Sequence, residues 1–179
     1  QRLRMSQNAE QAGNDEFSYT RFDAQSRINE VGQMVGYTLP MNGQYIDWLT
    51  LYADLDNSAF PYANSIDYSL EEQNFTYYDP PAAIAVNFEQ NNLRNRVAYT
   101  QNEHVSSFYS YDIHGNVSHL QHQMVDIGDF DLEYDYDLLS GNVNEVVFNR
   151  GRVDEFRHQY DYDADNRILE VHTSKDSLH

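Results

Sequence analysis

Residues 156–173 read FRHQYDYDADNRILEVHT and combine two aromatic-acid pairs with a run of β-forming residues. Tyr160 and Tyr162 are two residues apart, so they share one face of an extended strand, where large aromatic side chains pack well. Asp163 can accept hydrogen bonds from the backbone two residues further on, which starts a turn. Asn166 tolerates the positive φ of such a turn, and a second β-forming run follows it. The segment therefore predicts a β-hairpin.

The same pattern occurs twice earlier in the chain. YSYDIHGNVSHL spans residues 109–120 and YDYDLLSGNVNEV spans residues 134–146. The second tyrosine recurs at intervals of 25 and 26 residues, which indicates one structural unit in three copies. We expect this tyrosine to be a packing anchor and the later Gly or Asn to form the turn. The predicted structural positions are Tyr109, Tyr111, Asp112, Gly115, Tyr134, Tyr136, Asp137, Gly141, Tyr160, Tyr162, Asp163 and Asn166.

A fourth, weaker copy is YTRFDAQSRINEV, in which Phe22 and Asp23 replace the second tyrosine and its aspartate, and Ser26 takes the turn position. The chain thus divides into residues 1–31, with the weak copy and a preceding segment, residues 32–94, an insertion or degenerate repeats that are mostly β, and residues 95–179, with three clear copies.

The middle part contains segments that do not follow the motif. NGQYIDWLTLYADLD fits both helical and strand periodicity, and its β-forming residues favour a strand. AIAVNF is also read as a strand, as is NRVAYTQNEHVSSFYSYD at the start of the clear copies. The extra residue in DLLSG, compared with DIHG, predicts a longer loop or a bulge.

A single hairpin cannot bury its own face, so the copies must cover one another. The expected fold is all-β, an array of antiparallel hairpins. The sequence starts at Gln1 without an initiator methionine and ends just after a β-rich segment, so we expect a section of a larger protein.

Acidic residues dominate the charge, with 29 Asp and Glu against 11 Lys and Arg and a net charge of −18. Such a balance repels phosphate backbones, so we expect no nucleic-acid partner. The longest apolar run, residues 82–86, is far shorter than the roughly 20 residues that cross a bilayer, so no membrane span is expected. Cysteine is absent, which excludes disulfides and thiolate chemistry.

Aspartates at alternate positions raise the question of calcium, because a calcium-binding loop spaces its carboxylates in this way. The candidates are Asp161, Asp163 and Asp165, with Asp126, Asp129 and Asp131 as a second set. Asn166 stands where the loop needs Gly, and His172 stands where it needs Glu. We therefore interpret these acids as turn formers and as a solvated face.

Three histidines, His114, His119 and His122, are candidates for zinc, but strand alternation sends His119 and His122 to opposite faces. The serines near them, Ser106 and Ser118, lie in repeat strands without a GxSxG motif. With 29 acids, some carboxylates must lie close together, so pairs of them do not identify a hydrolase. We predict no catalytic residue, no metal site and no cofactor.

Aromatic residues also concentrate outside the clear copies, around Trp48. Exposed rings can stack on sugars or anchor a partner, whereas packing against the sheet is the interpretation that we favour. The alternative function is therefore an extracellular adhesion or carbohydrate-binding module for a surface glycan or protein. The residues concerned are Tyr45, Trp48, Tyr52, Tyr62, Tyr77 and Tyr78.

The three copies resemble the RHS, or YD-repeat, family of bacterial proteins, whose motif is YxYDxxGRLxxV. YSYDIHGNVSHL matches it, YDYDADNRILEV matches it closely, and YDYDLLSGNV matches it with one insertion. The resemblance covers roughly residues 17–31 and 95–173, and it is strongest to the large RHS proteins of Bacteroidetes, where such segments lie upstream of the RHS-associated core domain.

The resemblance implies a spiralling β-sheet that forms part of a hollow shell around a C-terminal polypeptide, commonly a toxin. The chain would then be a structural section of the wall, and its partners would be the rest of its own shell and the enclosed polypeptide. The self-cleaving aspartates of the core domain have no counterpart here, so no enzymatic activity is implied. The family also implies secretion or a cell-surface location.

Overall fold

The computed structural model describes residues 2–57, 59–62, 65–83 and 86–174, apart from the side chain of Trp48. These residues form thirteen strands and two short helices, and the strands pair antiparallel. The predicted all-β class is therefore confirmed, whereas the spiralling shell stays a prediction. The chain divides into two compact units, Gln1–Thr76 and Tyr77–His179.

In the first unit, four strands are hydrogen-bonded side by side in the order β1, β2, β3, β6, and β4 pairs with β5. Neither helix in the described part of the chain is long and apolar enough to cross a bilayer. The elements are β1 (Met5–Ser6), α1 (Ala9–Gly13), β2 (Glu16–Phe22), β3 (Ile28–Val35), β4 (Met41–Asn42), β5 (Tyr45–Ile46), α2 (Trp48–Asp56) and β6 (Ser69–Tyr78), whose last two residues belong to the second unit.

In the second unit, seven strands follow one another as a meander, and each pairs with the next strand along the chain. They are β7 (Val97–Gln101), β8 (Val105–Tyr111), β9 (Val117–Met124), β10 (Gly128–Tyr136), β11 (Val143–Phe148), β12 (Phe156–Tyr162) and β13 (Ile168–Ser174). The three clear copies of the motif coincide with the hairpins β8–β9, β10–β11 and β12–β13.

Two strand predictions are wrong. The segment NGQYIDWLTLYADLD forms α2 over most of its length, because Asp47 caps the helix by accepting hydrogen bonds from the N–H groups of Leu49 and Thr50 at 3.2 and 3.3 Å. Helical spacing also places Leu51, which is buried, and Leu55 toward the core. In AIAVNF, residues 83 and 86–88 form no strand, while residues 84 and 85 lie outside the described residues.

The core of the first unit is aromatic. The Tyr37 ring packs edge-to-face against Phe17 and Phe60, with both centroid distances at 5.7 Å. Tyr19 and Met34 complete this core, and Tyr68 and Leu55 are among the partly buried side chains that pack against it. The cluster joins strands β2 and β3 to the chain that follows them.

A buried carboxylate lies beside this core. Glu30 is 4% exposed, and its Oε1 accepts hydrogen bonds from the Tyr19 hydroxyl at 2.7 Å and from Gln73 Nε2 at 3.1 Å. Its Oε2 lies 2.5 Å from Arg21 Nη1. The charge on Glu30 is therefore compensated by one cation and two hydrogen bonds.

The second unit has a smaller apolar core with several polar members. Phe108 and Ala98 are fully buried, and so is Gln121. The Gln90 side chain donates to the carbonyls of Ala98 and Tyr109 at 2.7 and 2.9 Å, which ties the preceding loop to β7 and β8. Side-chain hydrogen bonds therefore supplement apolar burial in this unit.

The two faces of the β8–β13 sheet differ in chemistry. On the aromatic face, Tyr134 and Tyr136 stack with ring centroids 6.3 Å apart, and Phe130 stacks on Phe148 at 5.9 Å. Alternate residues project from the opposite, charged face, where Glu145 accepts a hydrogen bond from Arg157 at 3.2 Å. The tyrosines of the motif therefore share one face, as the alternation predicts.

Candidate functional site

Each copy of the motif closes its hairpin with an aspartate turn. The Oδ1 atom of Asp112 accepts hydrogen bonds from the backbone N–H groups of His114, Gly115 and Asn116 at 2.9, 2.7 and 2.9 Å. The N–H group of Asp112 donates to the Asn116 carbonyl at 2.9 Å. Turns of the same kind are formed at Asp23, Asp137 and Asp163.

The turn residue has a positive φ in every copy. The values are 78° at Ser26, 100° at Gly115, 76° at Gly141 and 61° at Asn166. They agree with the turn role predicted for Gly and Asn, and Ser26 adopts the same conformation although serine favours it less. The conformation persists with three residue types, and the aspartate that accepts hydrogen bonds from the turn is common to all four copies.

A β-bulge precedes the second aromatic residue in all four hairpins. The register shifts between Ser110 and Tyr111, and it shifts at the corresponding position in the other three copies. The extra residue of the second copy instead lengthens its turn, because the N–H group of Asp137 bonds to the carbonyl of Asn142, five residues on. The bulge is thus a general feature of the repeat and not specific to DLLSG.

The second tyrosine links each clear copy to the strand pair before it. The hydroxyl of Tyr111 donates to the Val97 carbonyl at 2.9 Å. Tyr136 and Tyr162 donate in the same way, both at 2.8 Å, to Val117 and Val143. The three acceptors are the first residues of β7, β9 and β11. We call this series of three bonds the hydroxyl ladder.

The protonation of the ladder tyrosines suits their role as donors. Burial raises the pKa of Tyr111 and of Tyr136 above the ordinary value for tyrosine, and the neighbouring Tyr109 and Tyr134 hydroxyls raise it further. Both phenols therefore keep their proton through neutral and mildly alkaline pH, and the ladder persists under those conditions.

We expect Tyr136→Phe to lower the free energy of unfolding by about 1 kcal/mol, because the Val117 carbonyl loses its hydrogen bond while the ring still packs. Urea unfolding followed by circular dichroism measures the change. The matched control is Tyr134→Phe, since the Tyr134 hydroxyl forms no ladder bond within the described residues. Equal losses in the two variants would contradict a specific role for the ladder.

The turn aspartates predict that the protein loses stability in acid. Hydrogen bonds from Ser140 lower the pKa of Asp137, and in Asp112 the hydrogen bonds from Asn116, Gly115 and His114 outweigh burial and lower the pKa as well. A lowered pKa in the folded state stabilises the fold above the unfolded-state pKa of about 4, and this contribution is lost as the pH falls through the folded-state value.

The measurement is urea unfolding of the wild type and of Asp137→Asn from about pH 7 down to about pH 3. The variant should be less stable near neutrality, and the difference should shrink as the pH falls below the ordinary range for aspartate. Asp129→Asn, at an exposed position outside the turns, is the control for the loss of one charge. A difference between Asp137→Asn and the wild type that did not change with pH would contradict the prediction.

The two sets of candidate calcium ligands do not form a metal-binding group within the described residues. Asp163 and Asp165 both pair with Arg167, and Asp163 also accepts the backbone bonds of its turn. Asp131 is buried and pairs with Arg152 Nη2 at 2.6 Å. Asp163 agrees with the interpretation as a turn former, and the exposed Asp165 agrees with a solvated face. Asp131 does not belong to a solvated face, because it is buried and paired with a cation.

Asp161 instead joins a different set of side chains. In the described part of the chain, the one group that could hold a metal ion is Asp161, Glu170 and His172, whose ligand atoms lie within 4.8 Å of one another. Asp161 and Glu170 lie directly opposite on β12 and β13, and His172 Nε2 lies 3.1 and 3.3 Å from their carboxylate oxygens. The imidazole thus contacts both carboxylates directly, and all three side chains are exposed.

The three histidines proposed for zinc have separate environments. His114 is exposed in its turn, and His119 stacks on Phe88 at 3.9 Å. His122 Nδ1 lies 2.7 Å from the hydroxyl of Ser107, which is adjacent in the sequence to Ser106, one of the two serines considered as neighbours of the histidines. Ser107 is only 6% exposed, so this pair has a packing role and does not form an accessible nucleophile.

The aromatic residues of the alternative function fall in both units. Tyr45 and Tyr52 are 79% and 53% exposed, whereas Tyr62 packs against Phe60 at 5.8 Å. In the second unit, Tyr77 stacks on Tyr99 at 4.1 Å. Tyr78 is half-buried, and Trp48 begins α2, although its side chain lies outside the described residues.

No family model matches the chain, and no curated protein shows significant similarity to it. Membership of the RHS family therefore stays a prediction from the motif.

Proposed function

We propose that the chain is a structural section of an RHS-type shell, with no activity of its own, and that the complete wall encloses a C-terminal, toxin-like polypeptide. The hydroxyl ladder is the observation that supports this proposal. It joins each clear copy to the strands before it by the same bond, to the first residue of an equivalent strand. Identical links between copies suit a wall that grows by repetition.

The exposure of β13 supports a role within an array of hairpins. The strands β9 and β11 are half-buried along most of their length, whereas β13 is exposed at every residue except Ser174. Its exposed side chains include Ile168, Leu169 and Val171, at 55%, 64% and 49%. A further hairpin beside β13 would cover these apolar groups and pair its edge.

The partners in this proposal are the remainder of the shell and the enclosed polypeptide. Secretion or display at a bacterial cell surface belongs to the same proposal, and it rests on the family resemblance. The charge of −18 favours solubility of such an array, because large assemblies with a net charge far from zero resist aggregation.

The test is to express the whole gene product that contains this chain, purify it under native conditions and determine its masses after denaturation. A cleaved C-terminal fragment that stays with the repeats until they unfold would support encapsulation. A single uncleaved chain whose C-terminus is digested by added protease under native conditions would contradict it.

A second candidate is an extracellular adhesion or carbohydrate-binding module, and the exposure of Tyr45 and Tyr52 beside Trp48 favours it. Aromatic rings that remain solvent-exposed are suited to stacking on sugar rings. Binding of the chain to a glycan array, lost in Tyr45→Ala and Tyr52→Ala, would support this function. Absence of binding to any glycan on the array would count against it.

A further inference from the structure

The first unit contains a cavity of about 400 Å³ next to its aromatic core. This volume lies within the range of small-molecule sites, which is roughly 300–1,000 Å³. The cavity is built by the end of α2, by the chain after β3 and by the chain before β6. Its aromatic and acidic lining residues are Tyr37, Asp54, Phe60, Tyr62, Asp67 and Tyr68.

The polar part of the lining is acidic. Asp54 is half-buried and Asp67 is exposed, and no lysine or arginine is among the residues that line the cavity. Within the described residues, neither carboxylate forms an ion pair. The Oδ1 atom of Asp54 lies 3.5 Å from the Tyr62 hydroxyl, at the limit of a hydrogen bond, so most of its capacity to accept hydrogen bonds is unused.

Three tyrosines, Tyr37, Tyr62 and Tyr68, line the same cavity. The Tyr68 hydroxyl accepts a hydrogen bond from the N–H group of Tyr62 at 2.6 Å. Tyr37 is 7% exposed, and its hydroxyl forms no hydrogen bond within the described part of the chain. Burial, with a further contribution from the Asp54 carboxylate, raises the pKa of Tyr37 to about 12, so this hydroxyl is neutral at physiological pH.

The aromatic side chains add a second source of attraction for a cation. Phe60, Tyr62 and Tyr68 pack with ring centroids 5.8 and 6.4 Å apart around the same space. The electron-rich face of an aromatic ring attracts an ammonium group, and the attraction grows when the cation leaves water. Carboxylates alone would suit a metal ion, but aromatic walls and a cavity of this volume suit an organic cation.

From this arrangement we propose that the cavity binds a primary alkylammonium group. The ammonium N–H groups donate to Asp54 and Asp67, and the alkyl chain lies against Tyr62 and Tyr68, which line the cavity in front of the buried Phe60. Such a group occurs in a free amine and in the lysine side chain of a partner polypeptide. The chain itself contains a single lysine, Lys175, which lies outside the described residues.

The test is a titration of the full chain, labelled with ¹⁵N, with butylammonium, followed by NMR at low ionic strength. Saturable shifts in the residues that line the cavity are expected. Butanol has nearly the same shape without the charge, so it should bind at least about tenfold more weakly, as expected for loss of a charge-assisted hydrogen bond. Tetramethylammonium, which has no N–H donor, should also bind more weakly than butylammonium.

Asp54→Asn should weaken butylammonium binding about tenfold. Asp56→Asn is the matched control, because it removes the same charge from the same helix at a residue outside the cavity lining, and it should leave the affinity unchanged. The comparison with butanol uses the wild-type chain, so it decides the question even if Asp54→Asn does not fold.

Nα-acetyl-lysine methylamide distinguishes the two sources of the ammonium group. Tighter binding of this compound than of butylammonium would assign the site to a lysine of a polypeptide, and weaker binding would assign it to a free amine. Equal affinity for butanol or for tetramethylammonium would overturn the proposal. The proposal would also be overturned if butylammonium showed no saturable binding up to about 50 mM, because its binding free energy would then be weaker than that of a millimolar ligand.

Discussion

Replacing Glu30 with alanine should lower the free energy of unfolding by about 4 kcal/mol, the range found when one partner of a buried ion pair is removed. Glu30 is 4% exposed, so its carboxylate is almost wholly removed from bulk water. Without it, the Arg21 guanidinium loses its countercharge and the buried Tyr19 hydroxyl loses its acceptor. Burial raises the pKa of Tyr19, so the phenol stays protonated and still requires an acceptor.

Urea unfolding followed by circular dichroism measures this loss. Glu30→Gln should cost less than Glu30→Ala, because the amide oxygen can still accept from Tyr19. Glu71→Ala on the neighbouring strand β6 is the control for a surface glutamate, since Glu71 is exposed. If Glu30→Ala lost no more stability than Glu71→Ala, the buried network would not contribute to the fold as described.

Gly115→Val should lower the free energy of unfolding by about 3 kcal/mol. This value includes the backbone strain at positive φ and the loss of neighbouring contacts. The φ of Gly115 is 100°, which a β-branched residue strongly disfavours. In addition, a Cβ at this position would lie 2.6 Å from Arg96 Nη2. The Arg96 guanidinium packs over the Tyr111 ring at 5.3 Å and donates to the Asn92 carbonyl at 2.6 Å, so moving it breaks both contacts.

Gly141→Val is the matched substitution, at the same motif position in the next hairpin. Gly141 also has a positive φ, of 76°, but a Cβ there would have no neighbour within 4 Å. Because only backbone strain acts at this position, we expect Gly141→Val to lower the free energy of unfolding by about 2 kcal/mol. Unfolding of both variants in urea separates the two causes. Equal losses would show that Arg96 moves aside at no cost, and an unchanged Gly141→Val would count against a left-handed turn.

The local structure of the repeat could be predicted from the sequence, because its determinants are local. An aspartate that accepts nearby N–H groups and a Gly or Asn that takes a positive φ act within five residues. The helix α2 could not be predicted in this way, since the same residues satisfy two periodicities. Its cap at Asp47 and the burial of Leu51 decide between them, and burial depends on the rest of the unit.

The contacts between distant residues could not be predicted for a different reason. The acceptor of each ladder tyrosine is a backbone carbonyl, which every residue possesses, so only the register of the strands selects Val97, Val117 or Val143. The acidic cavity draws on residues from Tyr37 to Tyr68 with no repeated spacing. Aromatic and acidic composition in this region was visible in the sequence, but not the assembly of these side chains around one space.

The direction of the hydroxyl ladder has a consequence for synthesis on the ribosome. Each donor tyrosine follows its acceptor along the chain, by 14 residues for Tyr111 and by 19 for both Tyr136 and Tyr162. When a hairpin emerges, the carbonyl that receives its tyrosine has already been made, together with the strand that carries this carbonyl. Hairpins can therefore join the sheet one after another from the N-terminus, and none must wait for a downstream hairpin to complete its ladder bond.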